Sequence, residues 1–370
     1  MAWQAMGWNE HWEQLFAPHA AQGLLPGRVV VEHRSSYRVA AEAEEMAAEV
    51  GGKLRRSATG RIDFPAVGDF VAVTPAGGNG PRKIQWLLPR RTAFIRQAVG
   101  ERTEEQVVAA NIDTVFIISA LDNDFNVRRL ERYLTLAWES GAQPVILLNK
   151  ADLCSAELLP VRLAEVERIA LTVPTHHLSA LTANGMEALA PYLLPGQTIC
   201  MLGSSGVGKS TLINLLLGQQ IQTTQEVRPG DDRGKHTTTH RELFVLPGGA
   251  MMIDTPGMRE LRLWGAADGL ETTFSDIEAL AAGCRFSGCS HESEAHCAVR
   301  LAVQRGQLQP ERLTSYFKLK RELRYLESRQ SERTSQERKR TEKLTGKLTG
   351  KLTGKLTRGA AARRDGDSRD

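Results

Sequence analysis

The sequence predicts an α/β protein in three parts: a small antiparallel barrel of the oligonucleotide-binding (OB) type, a parallel sheet covered by helices, and a C-terminal helical segment. Three observations predict it. Short β-runs broken by Gly, Pro and Asn fill residues 27–96, continuous apolar strands alternate with helices from Ile112 onward, and residues 264–330 read as helical around a cluster of cysteines.

The chain has 370 residues, 41% hydrophobic and 24% charged, the balance of a globular protein of two or three domains. No apolar run approaches the roughly 18 residues of a membrane helix. The N-terminus, MAWQAMGWNEHWEQLF, lacks the basic region and apolar run of a secretory signal. Five cysteines, three of them at 284, 289 and 297, do not resemble an extracellular disulfide framework. A cytoplasmic protein with no membrane partner is expected. The net charge of +4 is carried by the tail: residues 329–370 hold 13 basic and 6 acidic side chains, so the rest of the chain is slightly acidic. Within that rest, residues 27–96 run the other way, with 12 basic against 7 acidic, which suits a polyanionic partner.

Residues 1–22 predict an amphipathic helix with Trp8, Trp12 and Phe16 on one face, closed by Pro18 and Gly23. The runs GRVVVEH, SYRVAAE, GGKLRR, FPAVGDFVAV and KIQWLLPR predict the five strands of the barrel, whose basic excess suits a nucleic-acid backbone. NIDTVFIISAL then predicts a buried strand, Val127–Ser140 a helix, and QPVILLNKADL another buried strand. TICMLGSSG, KSTLINLLLG and LFVLPGGAMMIDTPG continue the alternation, which predicts a parallel sheet buried on both faces. A helix begins at Pro310 and carries Leu313, Phe317, Leu323 and Leu326. The KLTG repeats over 343–357 place a glycine at every fourth position and one Leu per repeat, so a disordered basic tail is expected.

Chemistry concentrates in four places. Gly203-Ser204-Ser205-Gly206-Val207-Gly208-Lys209-Ser210 matches the phosphate-binding loop GxxxxGK[ST] between a strand and a helix, and Thr211 follows it. Its backbone N–H groups and the helix N-terminus would cradle phosphates, Lys209 would reach the β- and γ-phosphates, and the Ser210 hydroxyl would bind Mg²⁺. Asn149-Lys150-Ala151-Asp152 ends a buried strand and supplies the base preference. The Asp152 carboxylate can accept from guanine N1–H and its exocyclic amine, a donor pair that adenine lacks. Ser179-Ala180 can complete the base pocket through backbone groups.

Asp254-Thr255-Pro256-Gly257 ends another strand, where Asp254 can hold Mg²⁺ through water and the Gly257 N–H can sense the γ-phosphate. Between it and the phosphate loop lies Gly234-Lys235-His236-Thr237-Thr238-Thr239-His240. Thr238, with Thr237 and Thr239 as alternatives, can close over Mg²⁺ when the γ-phosphate is present. Met258 stands where Ras-like GTPases carry the glutamine that orients the attacking water, and a thioether cannot do that work. His236 is the polar candidate, and slow intrinsic hydrolysis accelerated by a partner is the expectation. Base recognition precedes the phosphate loop in the chain, so the domain is a circularly permuted P-loop GTPase. Finally, Cys284, Cys289, His291 and Cys297 offer three thiolates and an imidazole, a closed tetrahedral set for structural zinc, with His296 a rival fourth ligand. Cys154 and Cys200 lie in or beside apolar strands as ordinary buried thiols.

AANIDTVFII, NKAD, GSSGVGKST, GKHTTTH, DTPGMRE and CRFSGCSHESEAHC, in this permuted order, resemble the RsgA (YjeQ) family over about residues 8–330. The resemblance implies a GTP hydrolase that binds the small ribosomal subunit late in its assembly, is stimulated by it, and then leaves. It also implies that the barrel and the zinc region contact ribosomal RNA. The family's switch motif usually places Arg before the His; here Lys235 keeps the charge but not the planar fork. A monomer binding GTP or GDP with Mg²⁺ and one structural Zn²⁺ is expected. Its domains would be an N-terminal helix (1–22), an OB barrel (23–97), the permuted GTPase (98–263), a zinc-binding helical domain (264–330) and the tail (331–370). The alternative is a GTP-gated RNA-binding module with negligible turnover; an ATP-driven motor is disfavoured by Asp152.

Overall fold

A computed structural model describes residues 3–33, 36–41, 44–75, 80–97, 105–218, 241–254, 267–328 and 331. They fall in two compact units, residues 1–320 and 321–370. In the second, residues 321–328 are helical.

Helix α1 (Glu10–Ala20) starts where the Asn9 side chain accepts from Trp12 N. It buries Trp12 and Phe16 against Phe70 and Leu88, and Trp8 joins them ahead of the helix, edge-on to Phe16 and Phe70 at 5.8 and 5.5 Å. Pro18 does not close this helix as the sequence predicts. The last backbone bonds step around it, from Ala21 N to Ala17 O and Gln22 N to His19 O, and Gly23 then turns the chain at φ +73°.

The barrel consists of β1 (Leu25–Glu32), β2 (Tyr37–Ala40), β3 (Glu45–Val50), β4 (Phe70–Val73) and β5 (Arg82–Leu87). The strand order β1-β2-β3-β5-β4 closes because β4 also pairs with β1; the β3–β5 pair is parallel and the others antiparallel. Its core is Val29, Val39, Ala48, Val71 and Ile84. The number of strands matches the sequence expectation, but one identity does not. GGKLRR is not a strand: Gly52–Ser57 is a short helix, α2, and the third strand is Glu45–Val50. The reason is burial: Met46 and Ala48 point inward at period two, whereas Leu54 alone of α2 plugs the barrel and leaves Arg55 and Arg56 outside.

Strands β6 (Ala93–Gln97) and β7 (Glu105–Ala110) then form a separate antiparallel hairpin that the sequence did not announce. The nucleotide sheet follows, with β8 (Thr114–Ala120), α3 (Val127–Glu139), β9 (Gln143–Asn149), α4 (Leu158–Ala170), β10 (Thr175–His177), β11 (Thr198–Leu202), α5 (Lys209–Leu217), β12 (Arg241–Val245) and β13 (Met251–Asp254). Strands β10-β9-β8-β11-β13 are parallel, and all but the short edge strand β10 (Thr-His-His) are largely buried and apolar, with Phe116, Ile118, Ile199 and Met252 at the centre of one core. LFVLPGGAMMID breaks the expected alternation. It is a hairpin turning through Pro247–Gly249, so β12 runs antiparallel to β13. The outer edge of β12 pairs in turn with the end of β1, so barrel and nucleotide sheet form one eleven-stranded sheet.

Five acceptors from five parts of the chain converge on Arg28, which is 1% exposed. Its guanidinium donates to Gly68 O (3.2 Å), Met6 O (2.7 Å), Asn111 O (3.3 Å), Thr198 Oγ1 (2.9 Å) and Met251 Sδ (3.1 Å). Helices α6 (Ala267–Thr273), α7 (Ser275–Ala281), α8 (Ala298–Gln304) and α9 (310–320) complete the first unit. Arg312 of α9 bonds Asp276 at 2.6 and 2.7 Å and reaches the buried Glu131 of α3 at 3.0 Å. No helix among the described residues is long and apolar enough to cross a membrane.

Candidate functional site

Parallel strands present their C-terminal ends to one edge of the sheet, and that edge collects the predicted nucleotide residues. β9 ends on Asn149 and β11 on Leu202, β10 runs out toward Ser179-Ala180, and β13 ends on Asp254. At the centre lies Asn149, 2% exposed. Its Nδ2 donates to Val207 O of the phosphate loop at 2.7 Å, and its Oδ1 accepts from Ala180 N at 2.9 Å. One side chain therefore staples the phosphate loop to the 179–180 loop. This closeness explains Gly208: its φ is +95°, and a Cβ there would collide with Asn149 Nδ2.

Lys150 holds a left-handed backbone at φ +61°, uncommon for a residue with a Cβ. That turn starts the Ala151–Leu153 helical turn and leaves the Asp152 carboxylate exposed. The Lys150 Nζ pairs with Asp122 at 2.8 Å. Ser179 is buried, and its N–H donates to Asn184 O at 3.0 Å, which fixes the loop that carries Ala180.

The phosphate loop Gly203–Gly208 joins β11 to α5, with Ser210 and Thr211 in the first turn of that helix. Lys209 Nζ folds back to donate to Gly203 O (2.7 Å) and Ser204 O (2.5 Å). The ammonium thus sits within the loop that would hold phosphates. Beside it stands a group that sequence reasoning missed. Arg129 of α3 donates to Ser204 Oγ at 2.7 Å and grips Asp124 with both Nη atoms at 2.5 and 3.0 Å, while Ser204 Oγ donates to Asp124 at 3.0 Å. The Arg129 hydrogen bond holds the Asp124 carboxyl below its ordinary pKa, so it is ionised at neutral pH. Its only sequence signal was the polar run DNDFN after an apolar strand, where Asn126 caps α3 by accepting from Arg129 N.

The switch candidates His236, Thr237, Thr238 and Thr239, together with Gly257 and Met258, lie outside the described residues, as does the KLTG tail. Nothing here places them against the loop.

A second cluster forms between α7 and α8. Cys284, Cys289, His291 and Cys297 bring one donor atom each to within 4.8 Å of one another. The Cys284–Cys297 sulfurs are 3.9 Å apart, and His291 Nδ1 is 3.5 and 3.4 Å from them. A tetrahedral ion with bonds near 2.3 Å to sulfur and 2.0–2.1 Å to nitrogen sets these separations at about 3.8 and 3.5 Å, so the set fits a metal. Burial lowers the His291 pKa, which keeps the imidazole in the neutral form that ligates. His296, the rival ligand, is exposed and outside this group. Cys200 is buried in β11, and burial pushes its thiol pKa upward. Cys154 is half-buried just beyond the Ala151–Leu153 turn.

Comparison with known proteins gives a consistent picture. Residues 87–264 match the RsgA GTPase family. The chain is 48% identical to the small ribosomal subunit biogenesis GTPase RsgA of Opitutus terrae, over 88% of this chain and 90% of that protein. It is 50% identical to small ribosomal subunit biogenesis GTPase RsgA 2 of Lactiplantibacillus plantarum, over 84% of this chain and 87% of that one. Its fold is similar to the crystal structure of YjeQ from Thermotoga maritima, with a TM-score of 0.61 at 28% identity, covering 81% of this chain and 98% of the other. YloQ, described as a circularly permuted GTPase, shares the fold with a TM-score of 0.59 at 22% identity over 83% of this chain and 96% of its own.

Proposed function

The chain belongs to the RsgA GTPase family, and from that premise we propose that it binds the small ribosomal subunit late in assembly, hydrolyses GTP to GDP and phosphate there, and leaves. The observation that carries the nucleotide half is the Asn149 staple, which joins a base-reading loop to a phosphate loop at one sheet edge. The ribosomal half rests on the two relatives, both of which carry the name of small ribosomal subunit biogenesis GTPases.

In this reading Asp152 accepts from guanine N1–H and the exocyclic amine, and backbone groups of Ser179 and Ala180 close the other side of the base. The N–H groups of Gly203–Gly208 cradle the phosphates. Lys209 releases the carbonyls of Gly203 and Ser204 and turns to the β- and γ-phosphates, the stronger charge-assisted partners. Ser210 in the first turn of α5 and, through water, Asp254 at the end of the adjacent β13 lie at the same sheet edge and would hold Mg²⁺, with Thr238 joining when the switch closes and Thr211 completing the phosphate site. When bound there, Mg²⁺ would supply positive charge against the phosphates. The Gly257 N–H senses the γ-phosphate, and His236 orients the attacking water, a task Met258 cannot perform. Turnover then waits on a partner that orders the switch.

Zinc suits the Cys284, Cys289, His291, Cys297 set, whose four protein donors leave no open position and so a structural role. The basic barrel and the zinc region contact ribosomal RNA. The protein acts as a cytoplasmic monomer divided at 1–22, 23–97, 98–263, 264–330 and 331–370.

The test is GTP hydrolysis by the purified protein alone, with small subunits, and with large subunits, using ATP as a second control. Stimulation by small subunits alone is expected. Tight GTP binding without stimulated turnover would instead favour a nucleotide-gated RNA-binding module.

A further inference from the structure

Two carboxylates stand beside the loop that must receive a polyanion. Asp122 and Asp124 both lie in the short connection between β8 and α3, and Asp124 accepts a hydrogen bond from the second residue of the phosphate loop, Ser204. An ionised Asp124 in that place opposes a triphosphate, because the charges are too close for solvent ions to screen fully. Each carboxylate is matched by one cation. Lys150 of the base-reading segment takes Asp122, and Arg129 takes Asp124 with a two-pronged grip.

We propose that Arg129 is a positioning residue for nucleotide binding: it neutralises Asp124 and orients the Ser204 hydroxyl, so that the phosphate loop presents a net positive face to a triphosphate. The inference rests on the reading of this edge as the GTP site. The geometry leaves the Ser204 hydroxyl no freedom, since it accepts from Arg129 Nη1 and donates to Asp124. Arg129 is itself held from behind, its backbone N–H donating to the Asn126 side chain at the start of α3. The planar fork is matched to both carboxylate oxygens at once, and the one nitrogen that also reaches Ser204 couples the ion pair to the loop. With Arg129 in place the loop is bordered by a neutral pair; without it the loop is bordered by a bare anion.

A charge role and a packing role predict different outcomes in a small set of variants. Binding of a non-hydrolysable GTP analogue and of GDP, both with Mg²⁺, is measured by titration for the full-length wild type, R129Q, R129K, D124N and the double variant R129Q/D124N. R129Q should bind the analogue about tenfold more weakly, with a smaller loss for GDP, which carries less charge. R129K keeps the cation but loses the fork that orients Ser204, so it should fall between wild type and R129Q, and the double variant should recover to within about threefold of wild type, because the opposing charge has gone with its partner. D124N alone should bind at least as well as wild type. A double variant as weak as R129Q, or R129K as weak as R129Q, would overturn the proposal and leave Arg129 a packing residue. Should R129Q fail to fold, the comparison of R129K with R129K/D124N at low and high salt decides the same question: salt-independent, equal affinities would refute a charge role. Failure of the wild type itself to bind the analogue would refute the GTP reading instead, a result distinct from any of these.

Discussion

Arg241 Nη1 lies 2.7 Å from Glu32 Oε2, an ion pair that fastens the first residue of β12 to the last residue of β1. The backbone register runs the same way, with Val31 opposite Glu242 and Glu32 opposite Arg241. A second pair, Arg38 to Glu242 at 3.0 Å, ties β2 to the same point, and Gln106 of β7 donates to Glu32 at 3.4 Å. Arg241 follows the segment that carries His236 and Thr238 in sequence, so the switch candidates and the rim of the barrel are neighbours along the chain.

If nucleotide state reaches the barrel through this seam, loosening it should uncouple the two. Glu32→Gln removes the charge from a pair whose side chains are only 12% and 17% exposed. GTP affinity should hold, while the ratio of small-subunit affinities in the GTP-analogue and GDP states should shrink about threefold to tenfold. Co-sedimentation with small subunits in each nucleotide state measures that ratio, and an unchanged ratio would remove the seam from the coupling.

The base preference should be transferable through one atom pair. Asp152→Asn replaces an acceptor by a donor where guanine presents its exocyclic amine, so GTP affinity should fall about a hundredfold or more. Xanthosine triphosphate offers a carbonyl at that position and should become the better ligand. Competition titrations with both nucleotides give the answer; GTP binding that survives the substitution would place the base elsewhere.

How much of this was legible beforehand follows from distance along the chain. The phosphate loop, NKAD and the Cys–His spacing are local patterns, each contained in one short stretch of chain. The Arg129–Ser204 bond joins positions 75 apart, and nothing in either neighbourhood names the other. GGKLRR is bounded by glycines like a strand between turns, although Lys, Leu and Arg favour helix, and the inward Leu54 against the barrel wall fits that helix. Pro247-Gly248-Gly249 carried the turn signal that reverses β12, yet the apolar runs on either side invited a single continuous strand. The hairpin of β6 and β7 was hidden because both strands are short and their facing ends, Arg96-Gln97 and Glu105-Gln106, are polar and carry no alternation.

The cysteine cluster should be structural in its energetics. Cys297 caps α8, its sulfur accepting from Arg300 N at 3.5 Å, so metal and helix start share one atom. Cys297→Ser, or extraction by a strong chelator, should release one equivalent of metal and lower the melting temperature by about 10 °C, since the binding energy of such a site is folding energy. GTP affinity should stay within about threefold, as sites without shared partners add independently. Metal analysis by mass spectrometry and thermal scans with bound GTP separate the two effects; a melting temperature indifferent to the metal would make the cluster incidental.

Arg28 sets the last expectation, because it is buried without a carboxylate in hydrogen-bond contact. Burial lowers its pKa to about 10, with Asp113 and Asp69 offsetting part of that cost from a distance. The guanidinium lies 4.8 Å over the Phe70 ring and satisfies acceptors from the N-terminal segment, the barrel and β11 at once. Arg28→Met keeps much of the volume and removes the desolvated charge, but strands the oxygens of Met6, Asn111 and Thr198, while Gly68 O keeps the Asn111 Nδ2 donor at 3.2 Å. Water from the adjoining polar cavity of about 440 Å³ can reach some of them. The net loss should be about 3 kcal/mol. Arg28→Lys should fare no better, since one ammonium offers three donors where five are used and cannot span the same acceptors. Urea unfolding followed by tryptophan fluorescence should show a lower midpoint for both. A loss below about 1 kcal/mol in the methionine variant would mean that apolar packing, and not this hydrogen-bond hub, joins the barrel to the nucleotide sheet.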